Sequence, residues 1–128
     1  MKIIIATLIA LVSVPASAEC WIVKGMHGID YAQRNNYEVE KDGFSGTFMI
    51  SENGKDASIR YSGTDAGGIT YMVLSPGTFI GISNEANGQA IENWNITQDG
   101  TVKMTKMING FGGFDSVKAM VGKVSGKC

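Results

Sequence analysis

The chain has 128 residues, with 11 basic and 12 acidic side chains, and this near-neutral balance gives no indication of nucleic-acid binding. Hydrophobic residues make up 44% of the sequence, but the apolar segment at residues 3–12 is too short to span a bilayer, which needs about 20 apolar residues. One histidine and two cysteines leave few side chains for catalysis or metal binding.

Residues 1–18 follow the pattern of a cleaved secretory signal peptide. Lys2 supplies the positive N-terminal region, an apolar segment follows, and small residues stand at the −3 and −1 positions before Glu19. A lipoprotein signal is the nearest alternative because Cys20 follows closely, but Glu19 occupies the position where a lipobox has a small residue. We therefore expect cleavage after Ala18, no stable membrane anchor, and a periplasmic or secreted protein.

Residues 19–128 then form a single domain of 110 residues, which is enough for one modest core. Cysteines in exported domains generally form disulfides, and here Cys20 and Cys128 stand at the two ends of this domain. A bridge between them would close nearly the whole chain into one loop, which is worth about 4–5 kcal/mol in the chain-entropy model. The sequence therefore predicts the Cys20–Cys128 disulfide.

Short runs of alternating apolar and polar residues predict an antiparallel strand meander. Turn chemistry is present at Asp42-Gly43, Asn53-Gly54, Pro76-Gly77 and Asp99-Gly100, and the first of these favours a two-residue hairpin turn. Residues 25–36 show no clear alternation and are predicted to be irregular, with one helical turn after Asp30. Strands are expected at residues 20–24, 37–41, 44–51, 57–62, 69–74, 78–83, 89–97 and 101–108.

Residues 116–125 fit either a helix or a strand. Apolar residues recur there at helical spacing, but the β-branched valines and Gly122 favour a strand. With this ninth strand the fold class is all-β, either a closed barrel or a sandwich. In a meander that closes, the first and last strands lie side by side, which is where Cys20 and Cys128 would have to meet.

The charge of the domain is uneven along the chain. Residues 19–100 contain 5 basic and 11 acidic side chains, whereas residues 101–128 contain 5 basic and 1 acidic. The two parts could face each other and attract within the fold, or the C-terminal part could form a basic docking patch. We favour the first interpretation.

Groups suited to catalysis are scarce. His27 is the only histidine, so a hydrolase would have to use it with Asp30 or Tyr31. A Met-x-x-Met pair at Met104 and Met107 would suit copper, but residues three apart on a strand point to opposite faces. We predict no catalytic residue, no metal site and no cofactor.

The most distinctive segment is residues 109–115, where Phe111 and Phe114 are set among three glycines after Asn109. An exposed phenylalanine in such a loop is unfavourable unless it meets a partner, although both rings could instead plug one end of a barrel. Trp94 lies between two asparagines, an arrangement that allows sugar stacking but is better explained by core packing. We take these four residues and His27 as the candidate binding residues.

These features favour an exported, non-enzymatic binding domain whose partner is another protein, such as an inhibitor, an immunity-type factor or an adhesin-like module. A second hypothesis is a barrel that carries a small apolar ligand. A third is a small hydrolase that uses His27.

Overall fold

The computed structural model describes residues 18–62, 64–65 and 69–128, the pair 64–65 by its backbone, so the signal-peptide prediction lies almost wholly outside the described residues. The described part consists of strands and two short 3-10 turns, and no helix in it is long and apolar enough to cross a membrane. The strands are β1 Glu19–Ala32, β2 Val39–Gly43, β3 Phe48–Asn53, β4 Asp56–Tyr61, β5 Thr64–Asp65, β6 Thr70–Ser75, β7 Thr78–Asn84, β8 Gln89–Ile96, β9 Thr101–Asn109 and β10 Ser116–Lys127. The 3-10 turns are Gln33–Asn35 and Gly112–Phe114.

Eight strands close into an antiparallel barrel in the order β1–β3–β4–β6–β7–β8–β9–β10, and β10 pairs back onto β1. This confirms the all-β prediction and decides for a barrel over a sandwich. The predicted pairing of the first and last strands is also confirmed, as is the disulfide between Cys20 and Cys128, whose Cα atoms are 5.2 Å apart. The prediction of a strand at residues 116–125 is likewise confirmed by β10.

The long strand β1 runs through residues 25–32, which were predicted to be irregular, and that part of the prediction was wrong. The helical turn predicted after Asp30 is confirmed by the 3-10 turn Gln33–Asn35. Gly25 adopts a φ of 68°, and the pairing of β1 with β10 shifts register between Lys24 and His27. This bulge reverses which residues face inward, from Val23 before it to Met26 after it. A period-two pattern that changes phase in the middle of a strand is hard to recognise in the sequence.

The hairpin turn predicted at Asp42-Gly43 was also wrong. Both residues lie in β2, and Asp42 pairs with Gly28 of β1. Strands β2 and β3 follow one another along β1, because β2 pairs with its second half and β3 with its first half. The three remaining turn predictions each join a hairpin, with their glycines at positive φ.

We call the end of the barrel that carries the disulfide the disulfide end, and the end that carries the two 3-10 turns the loop end. Strand alternation fills the disulfide end mainly with apolar side chains, although Glu52 of β3 is also buried there. The fully buried ones include Val23, Ile50 and Val102, with Trp21 and Ile96 beside them. A second apolar layer lies above them and contains Phe79, Trp94, Met104 and Met120.

Candidate functional site

The loop at residues 109–115 joins β9 to β10 at the loop end. Phe114 is 72% exposed and so does not plug the barrel, whereas Phe111 is 40% exposed and lies against Gly88, where an added Cβ would come within 2.6 Å of its ring. Nδ2 of Asn109 donates a hydrogen bond to Gln89 at 3.2 Å. Phe114 is therefore the residue of this loop that is free to meet a partner.

The other two candidate residues lie away from this loop. Trp94 is buried in the core, where its Nε1 donates to Glu92 at 2.8 Å, and this confirms the core-packing interpretation. His27 lies on the outer face of β1, and its Nδ1 donates to the carbonyl oxygen of Gly25 at 2.8 Å. Asp30 is buried on the opposite face of the same strand, so the structure does not bring it to His27. Within the described ranges no cluster of three His, Cys, Asp or Glu side chains could hold a metal ion.

Six neighbouring strands, β2, β1, β10, β9, β8 and β7, each place an apolar side chain at the same level of the outer surface. The strand registers bring these side chains into one line, which we call the apolar row. Most of them are exposed, which is unusual for an unbroken line of large apolar residues. The apolar row consists of Val39, Tyr31, Val117, Met107, Ile91 and Ile82.

Two shallow hollows adjoin the apolar row. The larger, of about 450 Å³, lies on the disulfide side of the row, and its floor includes Ile29, Ala119 and Val121 with His27 at its edge. The smaller, of about 320 Å³, lies on the loop side and connects the row to Asn109. The row, the hollows and the 109–115 loop therefore form one continuous face, which we call the outer face.

The charges beside the larger hollow of the outer face have one sign. Lys24, Lys103 and Lys123 point outward beside the larger hollow, and Lys24 and Lys123 are direct cross-strand partners. No outward position of β1, β7, β8, β9 or β10, all five of which are fully described, carries an acidic residue. The outer face is therefore apolar with a basic border beside the larger hollow, whereas Asp115 lines the smaller hollow and Glu38 and Glu40 adjoin Val39 at the β2 side.

The interior of the barrel has the opposite character at the level of the apolar row. Asp30, Lys118, Lys106 and Glu92 are successive cross-strand partners that face inward, and we call these four residues the inner charged ring. Each of these four residues is the sequence neighbour of a member of the apolar row, as Lys118 is of Val117 and Asp30 is of Tyr31. At this level the usual arrangement of apolar inside and polar outside is inverted.

Glu92 is the centre of the hydrogen bonding inside the barrel. Its Oε1 accepts from Tyr71 Oη and from Trp94 Nε1, both at 2.8 Å, and its Oε2 lies 2.9 Å from Lys106 Nζ. Burial of the phenol, together with the negative charge of Glu92, raises the pKa of Tyr71 well above its usual range. Tyr71 therefore remains a protonated donor to Glu92 across the physiological pH range.

The remaining inner charges have looser partners. Lys118 Nζ lies 3.1 Å from Asp42 of β2, and Arg34 lies 3.5 Å from one oxygen of Asp30. The other oxygen of Asp30 is buried without a hydrogen-bond partner among the described residues. Several lysines after residue 100 thus pair with carboxylates that precede it, as expected if the two oppositely charged parts of the chain face each other.

Comparison with protein-family models, with curated proteins and with solved structures finds no match. Sequence reasoning missed both the apolar row and the inner charged ring. One feature of the sequence could have revealed them. Met107 and Val117 each adjoin a lysine, and because neighbours on a strand point to opposite faces, one member of each pair had to face inward.

Proposed function

We propose that the protein is an exported, non-enzymatic binding domain whose outer face docks on another protein that presents an apolar surface bordered by carboxylates. The observation that carries this proposal is the unbroken apolar row across six strands. Exposed apolar patches of this kind are typical of interaction sites. Phe114 extends the same face at the loop end and is the most exposed large apolar side chain among the described residues.

The charges support an acidic partner. Beside the larger hollow the outer face carries lysines and no carboxylate, so a partner with acidic residues opposite that hollow would be attracted and oriented. A second copy of this chain that docked there would instead bring lysines against lysines.

The polar groups of the outer face support a protein rather than a membrane. Asn93 and Thr105 share a hydrogen bond of 3.1 Å, and Asn95 donates to Thr78 at 2.9 Å, all on outward positions beside the larger hollow. Contact with lipid hydrocarbon would leave the remaining polar capacity of these groups unsatisfied, whereas a protein surface offers hydrogen-bond partners.

The test compares two methionines in similar settings. Met107 lies in the apolar row and is 45% exposed, whereas Met49 points outward from β3, away from the outer face, and is 42% exposed. Oxidised protein is used to capture partners from periplasmic and extracellular extracts of the source organism, and the captured protein is purified for binding measurements. Met107→Asp should weaken its affinity by about tenfold or more, because a charge would enter a desolvated apolar contact. Met49→Asp should leave that affinity unchanged, and added salt should weaken binding of the wild type.

Three outcomes would contradict the proposal. Equal effects of the two aspartate substitutions would remove the apolar row from the interface. A doubling of mass without any added partner would make the occupant a second copy of the chain. Sedimentation with phosphatidylglycerol vesicles that Met107→Asp abolishes would make the occupant a membrane.

A further inference from the structure

The interior of the barrel contains a cavity that is separate from the outer face. It has a volume of about 150 Å³ and lies between the inner charged ring and the apolar core. Phe44, Phe48 and Tyr61 form one wall, with ring centroids 4.9–5.3 Å apart. The ammonium-bearing side chains of Lys106 and Lys118 also line it. An eight-stranded barrel has room for either packed side chains or one small ligand.

The two lysines are the informative feature of this cavity. Lys106 and Lys118 are direct cross-strand partners that face the same interior, an arrangement in which like charges repel. Each is paired with one carboxylate, Lys106 with Glu92 at 2.9 Å and Lys118 with Asp42 at 3.1 Å. An anionic group between the two ammonium groups would relieve the repulsion.

The hydrogen-bonding capacity that remains in the cavity also points to an anion. Both oxygens of Glu92 are already engaged by Tyr71, Trp94 and Lys106. An ammonium has three N–H donors, and each lysine uses one of them in its ion pair, so further donors remain on Lys106 and Lys118. The group that completes this site must therefore supply acceptor oxygens.

We propose that the cavity binds a small aromatic carboxylate, with its ring against Phe44, Phe48 and Tyr61 and its carboxylate between Lys106 and Lys118. The size agrees, because a dry cavity of roughly 150 Å³ is known to admit one benzene ring. The side chains of Lys106 and Lys118 are 25% and 16% exposed, so the lysine side of the cavity reaches solvent. A ligand that enters ring first would leave its carboxylate at that side.

The first measurement is a titration with sodium benzoate, followed by the indole N–H signals of the two tryptophans in ¹H–¹⁵N NMR spectra. Trp94 lines the cavity, whereas Trp21 lies at the disulfide end and does not. The Trp94 signal should shift and saturate while the Trp21 signal stays unchanged. Benzyl alcohol, which is neutral, and benzylamine, which is cationic, should bind at least about tenfold more weakly than benzoate because only the carboxylate brings a negative charge to the two ammonium groups.

The second measurement tests the lysine directly. Lys118→Met should weaken benzoate binding by about tenfold or more, whereas Lys118→Arg, which keeps the charge, should retain most of it. Lys55→Met, on an exposed turn residue, is the matched control and should bind benzoate as the wild type does. Lys118→Met should fold, because Asp42, the partner of Lys118, is partly exposed and so does not become a buried unpaired charge. Lys118→Gln is a second neutral substitution, and the melting temperature of each variant shows whether it is folded.

Several results would overturn the proposal. One is a Trp94 signal that does not move at about 10 mM benzoate, a concentration that would largely fill a site with a dissociation constant of about 1 mM. Equal binding of benzoate and benzyl alcohol would make the site a plain apolar cavity. Equal affinity in Lys118→Met and Lys55→Met would remove the lysine from the site. Shifts confined to strand residues around Lys103 and Lys123 would mean that benzoate binds only the basic border of the outer face.

Discussion

The two ends of the barrel interior are built from different chemistry. At the disulfide end, Val23, Ile50 and Val102 are fully buried among other apolar side chains, and Cys20 of β1 is joined covalently to Cys128. Toward the loop end, the inner charged ring and a small cavity occupy the same barrel. Apolar burial stabilises a fold, whereas buried ion pairs recover their desolvation penalty only in part. The disulfide end therefore contributes more to stability than the charged end does, and the charged end is where we propose that a ligand binds.

The outer surface repeats this contrast. Next to the inner charged ring, the same strands turn apolar side chains outward and form the apolar row. At this level the charged side chains point into the barrel and the apolar side chains point to solvent. Folding preferences alone do not explain this arrangement, because exchanging the apolar row with the inner charged ring would satisfy those preferences better. Both proposed binding sites lie at or next to this level.

The largest expected effect is at the disulfide end. Replacing Cys20 and Cys128 together by serine should lower the free energy of unfolding by about 4–5 kcal/mol, because the bridge restricts nearly the whole unfolded chain. Urea denaturation of the oxidised protein and the variant measures the difference. Reducing agent should destabilise the wild type to the level of the variant and leave the variant unchanged. A difference below about 1 kcal/mol would mean that the closing strand pair holds without the bridge.

An intermediate effect is expected in the inner charged ring. Glu92→Ala should cost roughly 3–5 kcal/mol, because it leaves Tyr71, Trp94 and Lys106 without their shared acceptor. Lys106→Met should cost less, about 1–2 kcal/mol, because Glu92 keeps two neutral donors and Lys106 is partly exposed. Chemical denaturation again measures both.

The control for this comparison is Glu85→Ala, an exposed carboxylate in the loop between β7 and β8, which should change stability by less than about 0.5 kcal/mol. If Lys106→Met proved more destabilising than Glu92→Ala, the carboxylate would not be the centre of the interior network.

The smallest effect concerns pH and the hairpin between β8 and β9 at the disulfide end. Asp99 accepts hydrogen bonds from the hydroxyl of Thr97 and the backbone N–H of Thr101, and these lower its pKa from 3.8 to about 2. Because the folded pKa lies below the unfolded one, the stabilisation is complete above about pH 4. It is lost as the pH falls toward 2.

Asp99→Asn keeps the shape of the side chain and removes the charge. The melting temperature of the wild type should exceed that of the variant at pH 5, and the difference should shrink by pH 2. The same difference at both pH values would show that the carboxylate charge contributes nothing to this hairpin.

The residues of the proposed binding face were only partly predictable from the sequence. Phe114 was identified because two phenylalanines among glycines stand out in any loop, and its exposure agrees. Trp94 was correctly interpreted as a core residue, which removes it from a surface site. The apolar row could not be identified, because its members come from six strands and become neighbours only through the register of the barrel.

The sequence by itself determined the all-β class, because alternation and turn residues are local signals. It also determined the disulfide, and with it the pairing of the first and last strands, because two cysteines allow only one pairing within the chain. Only the tertiary structure decided where β1 changes phase, since the bulge at Gly25 shows its effect in the pairing with β10. The tertiary structure also decided which face of a strand points inward where both faces of that strand carry apolar as well as charged residues. Lys118 and Val117 are equally plausible inside or outside until Glu92, Asp42 and Lys106 are brought around the same interior. Charge pairing across strands joins residues that are far apart in the sequence. At this level of the barrel it holds the charged side chains inside, and the apolar side chains next to them point outward.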